Sequence, residues 1–483
     1  MNMKVFLKYF LIVILLLIGL MALGILYLFF VPGSSLFGIT YISYHDNYYS
    51  EAYDTSAIST IRVNSRAYDV YVVPASSEEI SLRVYANSLG FVMNKNSDVG
   101  IETNVEDDTL IFDIDEPYGA SVVNDSFVQL RVPTDKAFNI ILNNRSALTS
   151  INNDSLQINN LIYETNSGNL TFSRGKLLGY IDASIGRADF VIGENASIDK
   201  NNIYLSATSG YFEALHTALG DVTVEKNDNA VILINTCNNF DEDQSKAGGR
   251  IEISTVSQVN IVSADTNVYI DTPTDGGTIR LTKSGKIEIN NVLAETDLFT
   301  NTGNITINES RGPISMTTEN GNIRIKSAYL RVQTNTDYGD VNITFNEDAE
   351  SFSTNPNARS LMSTTNNGKI SATGVENVYI LIQDNGRAEI EMRDVFGENI
   401  VEGKRGSVSM IINRYSKYRL HTKTDSGDVS VNLMQISGIG SGGYTDKERT
   451  EYINCTISSY SATLDVTTTS GNLYIRDEEL IDY

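Results

Sequence analysis

The sequence predicts an all-β chain, a single-handed β-solenoid of about 18–20-residue coils preceded by one transmembrane helix. Three observations carry that prediction. A glycine motif recurs at a fixed step, apolar residues alternate with period two on both sides of it, and one long apolar run lies near the N-terminus.

The glycine step is the clearest of the three. Gly285, Gly303, Gly321 and Gly339 follow one another every eighteen residues. Around two of them the sequence nearly repeats itself: Thr300-Asn301-Thr302-Gly303-Asn304-Ile305-Thr306-Ile307, then Thr318-Glu319-Asn320-Gly321-Asn322-Ile323-Arg324-Ile325. Further copies centre on Gly168, Gly186, Gly210, Gly220, Gly368, Gly386, Gly406, Gly427 and Gly471. Self-similarity at such a period marks stacked units that each need a neighbour to bury their apolar face.

Within one copy, apolar residues stand two and four places after the glycine, as Val429 and Val431 do after Gly427. The same parity holds before it, as Ile314, Met316 and Thr318 do before Gly321. Period two means a strand with one buried face, so each unit reads as strand, glycine corner, strand. The glycine is expected to supply a positive φ, and the Asn or Asp beside it to bond the corner backbone. Stacked coil on coil, these strands would enclose one core and align Asn and Thr into ladders. A hairpin-built sandwich would reverse register at two-residue turns and would not keep an eighteen-residue step. At uniform spacing, the chain beyond the first 56 residues would hold about 21 to 23 coils.

The apolar run extends from Tyr9 to Val31, with Lys4 and Lys8 before it and no further basic residue until Arg62. Residues 1–31 are therefore expected to form a cytoplasmic tip and transmembrane helix, touching the lipid bilayer through residues 9–31. This is a signal-anchor arrangement: single-pass in the cell membrane, N-terminus cytoplasmic, C-terminal body extracytoplasmic. A cleaved signal sequence is the competing reading. Against it stand the length of the run and the lack of a small-x-small site before Pro32-Gly33.

Residues 32–56 read as a stalk. In residues 57–150 the alternation persists without the glycine motif, as expected of atypical coils forming an N-terminal cap. Residues 151–480 read as the repeat solenoid, with polar interruptions at 346–362 and 436–451 expected to project as loops. The second holds Gly438, Gly440, Gly442, Gly443 and Tyr444 and is the expected contact site.

The repeated core, as in Ser426-Gly427-Asp428-Val429-Ser430-Val431, and the strand Val128-Gln129-Leu130-Arg131-Val132-Pro133 carry a family likeness. Over residues 57–480 the body resembles the bacterial putative-adhesin family, a β-strand-repeat family of unassigned function. The resemblance implies a cell-envelope protein and offers no catalytic residues to carry over.

A net charge of −24, from 60 acidic and 36 basic residues, repels phosphate backbones, so no nucleic-acid partner is expected. His45, His216 and His421 stand apart from one another, with no paired-histidine, nucleophile-elbow, phosphate-loop or dinucleotide pattern. Asp221, Asp340 and Asp428 follow corner glycines, and Asp241-Glu242-Asp243 is an acidic run, but neither the β-roll nor the EF-hand calcium pattern occurs. Cys237 and Cys455 make no disulfide framework and are expected as free or buried thiols. No catalytic, cofactor-binding or metal residues are expected.

The function these readings point to is a non-catalytic surface binding protein, adhesin-like or an envelope scaffold. Its ligand would be an envelope or extracellular molecule that the sequence does not specify, with self-assembly through coil edges as a further mode. The alternative is a solenoid carbohydrate-active enzyme, a polysaccharide lyase or hydrolase. Scattered acids and bases and the absence of Trp for sugar stacking stand against it.

Overall fold

The computed structural model describes residues 3–30, 35–36, 39–92, 99–116, 119–198, 201–226, 230–243, 249–433, 444–446, 450–453 and 462–480. The chain is a β-solenoid with one N-terminal apolar helix. That helix spans Met3–Phe30, and its stretch Leu7–Tyr27 is long and apolar enough to cross a membrane. The chain divides into two compact units, residues 1–205 with 210–217, the helix included, and residues 206–209 with 218–483.

In the second unit the period-two pattern folds as read. Strand Ile314–Thr318 buries Ile314, Met316 and Thr318 and turns Ser315 and Thr317 outward. After the corner, Ile323–Ala328 buries Ile323 and Ile325. Neighbouring coils pair in parallel with side chains in register: Thr296 with Ile314 and Ile314 with Val332 on one face, Ile305 with Ile323 and Ile323 with Val341 on the other. An inward position therefore stacks on an inward position, and the core is continuous from coil to coil.

The motif's residues turn out to be contacts between coils. Thr318 Oγ1 donates to the Gly303 carbonyl at 3.2 Å, and Thr424 Oγ1 to that of Gly471 at 3.0 Å. The Asn322 amide donates to Asn304 Oδ1, and the Asp340 amide to Asn322 Oδ1, each at 2.9 Å. A Cβ at Gly303, Gly321 or Gly339 would overlap the carbonyl oxygen of the glycine one coil earlier. Among the motif glycines, only Gly285 (φ +140°) and Gly406 (φ +147°) lie in the region that disfavours a side chain. The expectation of a positive φ at every corner is thus corrected: close backbone approach, not left-handed geometry, excludes Cβ from most of these corners.

The step is not uniform, and the coils are fewer than uniform spacing predicts. Val332 pairs with Leu361, so an insertion separates two stacked coils. Within the stretch read as a loop over 346–362, Ser360–Thr365 is a core strand. The insertion ahead of it is tied down by Arg359, which is 2% exposed. Its guanidinium donates to the carbonyls of Glu347 (2.6 Å), Ala349 (2.9 Å) and Gly374 (3.2 Å) and faces Glu376 at 3.5 Å. Glu376 in turn accepts from Ser351 Oγ and the Phe352 amide at 2.8 and 2.7 Å. A buried guanidinium persists only when its donors are satisfied, and here main-chain carbonyls do most of that.

At the C-terminal end, stacking departs from chain order. The coil of Glu398–Arg405 and Val408–Asn413 pairs with the last coil, Thr463–Thr468 and Leu473–Glu478. The coil that follows it in sequence, Arg419–Thr424 and Val429–Asn432, lies on the far side of that last coil. The glycine ladder accordingly runs Gly386, Gly406, Gly471, Gly427. The outer edge of the 419–432 coil pairs antiparallel with Thr450–Ile453 and Tyr444–Asp446. The rest of the stretch read as a loop over 436–451 lies outside the described residues.

The first unit is built the same way. Strand Thr60–Ser65 lies between Thr109–Asp115 and Phe138–Asn144, and Asp69–Pro74 between Phe127–Val132 and the start of Thr149–Thr165. The first coil in sequence is therefore the second in space. The outermost coil is covered by antiparallel strands, Gly100–Glu106 on one face and Glu79–Val92 on the other. Ile39–Tyr49, in the stretch read as a stalk, pairs antiparallel with Glu79–Val92.

Candidate functional site: a polar cleft on the first unit

Out-of-order stacking brings distant outward residues into line. Alternation puts Asn64, Asp113, Asn143 and Glu164 outside the core of four strands. Register pairs Asp113 with Asn64, Asn64 with Asn143, and Asn143 with Glu164. Glu102, on the covering antiparallel strand, stands opposite Asp113 and extends the row to a fifth strand. Asn143 Nδ2 donates to Asn64 Oδ1 at 2.7 Å, and Asn64 Nδ2 to Asp113 Oδ1 at 2.6 Å. Asn143 Oδ1 is shielded from solvent and accepts no hydrogen bond.

The corner residues Arg66, Asp115, Arg145 and Asn166 form a second row beside the first, and the two rows line a concave cleft of about 590 Å³. One corner is fixed from beneath. The buried Glu116 carboxylate accepts from Ser65 Oγ and from the amides of Arg66, Ala67 and Tyr68. Burial nevertheless pushes its pKa above the ordinary 4.5, the hydrogen bonds opposing that shift only in part. The cleft thus presents carboxamides, four carboxylates (Glu102, Asp113, Asp115, Glu164) and two guanidinium groups on a braced wall. Such a lining suits hydrogen bonding.

In the second unit a groove of about 520 Å³ follows the intercalated coil. Glu402, Thr467 and Lys423 lie in register across it, and Lys423 pairs with Asp425 at 3.2 Å.

The residues singled out in the sequence are dispersed. His421 Nδ1 meets Asp465 at 2.9 Å on the neighbouring coil. His45 is exposed opposite Asn87 in the first unit, and the His216 side chain lies outside the described residues. The acidic run splits across a strand, with Asp241 exposed and Glu242 buried. Asp221 accepts from Asn238 and Asn239 at 2.9 and 2.7 Å, while Asp340 and Asp428 join the corner ladders. The Cys237 thiol is buried, and burial, with a smaller push from the Asp221 charge, raises its pKa to about 12; Cys455 lies outside the described residues. Among the described residues, no three His, Cys, Asp or Glu side chains group to hold a metal ion. Sequence reasoning assigned none of the cleft residues to a site. Their one signal was an outward polar position in an alternating strand, which many other residues share.

Stacked parallel coils with a shared core and polar outer faces define a β-solenoid with one apolar N-terminal helix. A family model, Toastrack DUF4097, matches residues 58–281, so this stretch is similar to that family. Two solved structures are similar to it at low identity. One is a putative cell adhesion protein from Clostridium sporogenes, 8% identical, covering 90% of this chain and 100% of its own, with a TM-score of 0.15. The other is a putative adhesin from Parabacteroides merdae, 11% identical, covering 76% of this chain and 92% of its own, also with a TM-score of 0.15. No curated protein matches the chain.

Proposed function

We propose that the chain is a membrane-anchored, extracytoplasmic binding protein, adhesin-like or an envelope scaffold, that catalyses no reaction. The observation that carries the reading is the aligned polar row of the first unit, five strands wide and fixed in register by backbone pairing. Rigid parallel strands hold their outward side chains at one fixed spacing, so a binding surface of this kind needs little ordering when a partner arrives. The helix Met3–Phe30, with Lys4 and Lys8 ahead of most of its apolar length, supports an anchor with a cytoplasmic tip.

Protease treatment of intact cells producing the full chain tests the placement. Loss of the body with retention of a small membrane-bound N-terminal fragment is the expected result. A body that resists protease until the cells are lysed would sink it. Turnover of pectin, alginate or peptidoglycan fragments by the purified chain would overturn the non-catalytic part.

A further inference from the structure

We propose that the cleft of the first unit binds a linear, uncharged glycan, with about one sugar ring to each coil. The inference rests on reading the chain as a surface binding protein and names the ligand class of that surface.

Three features of the cleft lead there. The first is spacing. Glu102, Asp113, Asn64, Asn143 and Glu164 lie in register on neighbouring strands, which are about 4.8 Å apart. That is close to the advance of one pyranose ring in an extended chain. A polymer lying along the row would therefore meet an equivalent polar group at every ring. The volume of about 590 Å³ accommodates a short segment of such a chain.

The second is the kind of group. A carboxamide both donates and accepts, as a sugar hydroxyl does, and a carboxylate accepts two hydroxyls from a vicinal diol. Asn64 and Asn143 already form a chain of hydrogen bonds ending on Asp113.

The third is charge. Four carboxylates discourage a uronate or phosphate, while Arg66 and Arg145 on the same wall discourage a polycation. The wall is net acidic, which penalises an anionic polymer, while its two guanidinium groups interrupt the carboxylates, and a neutral polyol binds there without electrostatic cost. The lining contains no aromatic side chain to stack on a ring, so binding is weak, with Kd of about a millimolar or somewhat below.

Titration of the full-length protein, held in a detergent without a sugar headgroup, tests the assignment by saturation-transfer NMR. The probes are cellotetraose and chitotetraose, with tetragalacturonate and spermine as charged comparators. Saturable binding of a neutral tetrasaccharide, weakened about tenfold or more in the Asn64→Ala/Asn143→Ala double variant, is the expected result. Asn143→Asp, which keeps the size of the side chain, should weaken it as well and guards against misfolding of the double variant. Either of two results overturns the proposal: neutral binding that survives both variants, or tetragalacturonate or spermine binding more tightly than the neutral probes. Absence of neutral binding overturns it too. In that case, cells bearing the double variant that still adhere as wild type does would show that only the glycan assignment has failed. If producing the wild-type chain gives cells no adherence at all, the surface-binding reading fails with it.

Discussion

Adding a methyl group at Gly321 would drive it into the Gly303 carbonyl oxygen, so the smallest substitution there forces two coils apart. Gly321→Ala should destabilise the second unit by about 3 kcal/mol, the upper part of the usual range for overpacking. Arg324→Ala, on the exposed side of the next strand, should stay within about 0.5 kcal/mol. Urea midpoints for the two variants check the contrast. Glu116 gives a pH signature. Its folded-state pKa is raised above 4.5 because burial penalises the charged form more than its four donors favour it. Folding therefore favours the protonated carboxyl, and that contribution is fully present below about pH 4.5 and fades as pH rises through the raised value. Glu116→Gln should flatten this part of the stability profile, measured as unfolding temperature from pH 4 to pH 8. An unchanged slope would mean that other groups set it. The sequence showed where a glycine is needed, as at Gly321, but not that steric contact between coils is the reason, because that contact exists only once two coils are stacked.

At the scale of single coils, both chain ends are placed in the same unusual way. The first coil of the first unit and the last coil of the second each lie one place in from an edge, with neighbours on both sides. The edge coils beyond them are covered by antiparallel strands. An uncovered edge would expose a row of unpaired backbone groups, the usual route to aggregation. Intercalation has a mechanical consequence. Removing residues 462–483 should do more than fray an end, because it strips the 398–413 coil of one neighbour and the 419–432 coil of the coil it stacks on. Limited proteolysis should then cut the region beyond residue 398 about tenfold faster than in the full chain. If the loss is confined to a few residues at the new terminus, the intercalated order is wrong. The period marks each of these coils in sequence, but it says nothing of their order in space, because the 406, 427 and 471 corners carry interchangeable motifs.

For the whole molecule, charge is the dominant property. The excess of 60 acidic over 36 basic residues gives a net charge of −24, which opposes compaction and keeps molecules apart. Raising sodium chloride from about 20 to 300 mM should screen that repulsion and raise the unfolding temperature by a few degrees, read by circular dichroism. A fall would show that surface ion pairs such as Lys369–Glu389 outweigh the net repulsion. By itself the sequence determined the repeating unit. Period two chose the buried face of each strand, and Thr-x-x-Gly-Asn placed the corner and its bonds, because both follow from chemistry inside one coil and its nearest copy. Only the tertiary structure decided which coil lies against which, where antiparallel strands close the edges, and hence that Asn64, Asp113 and Asn143 share a cleft. The physical reason is that backbone pairing between coils is blind to side chains: one edge of amides and carbonyls fits another equally well. Coil order is set by the connections and caps at the ends, which the repeat does not encode.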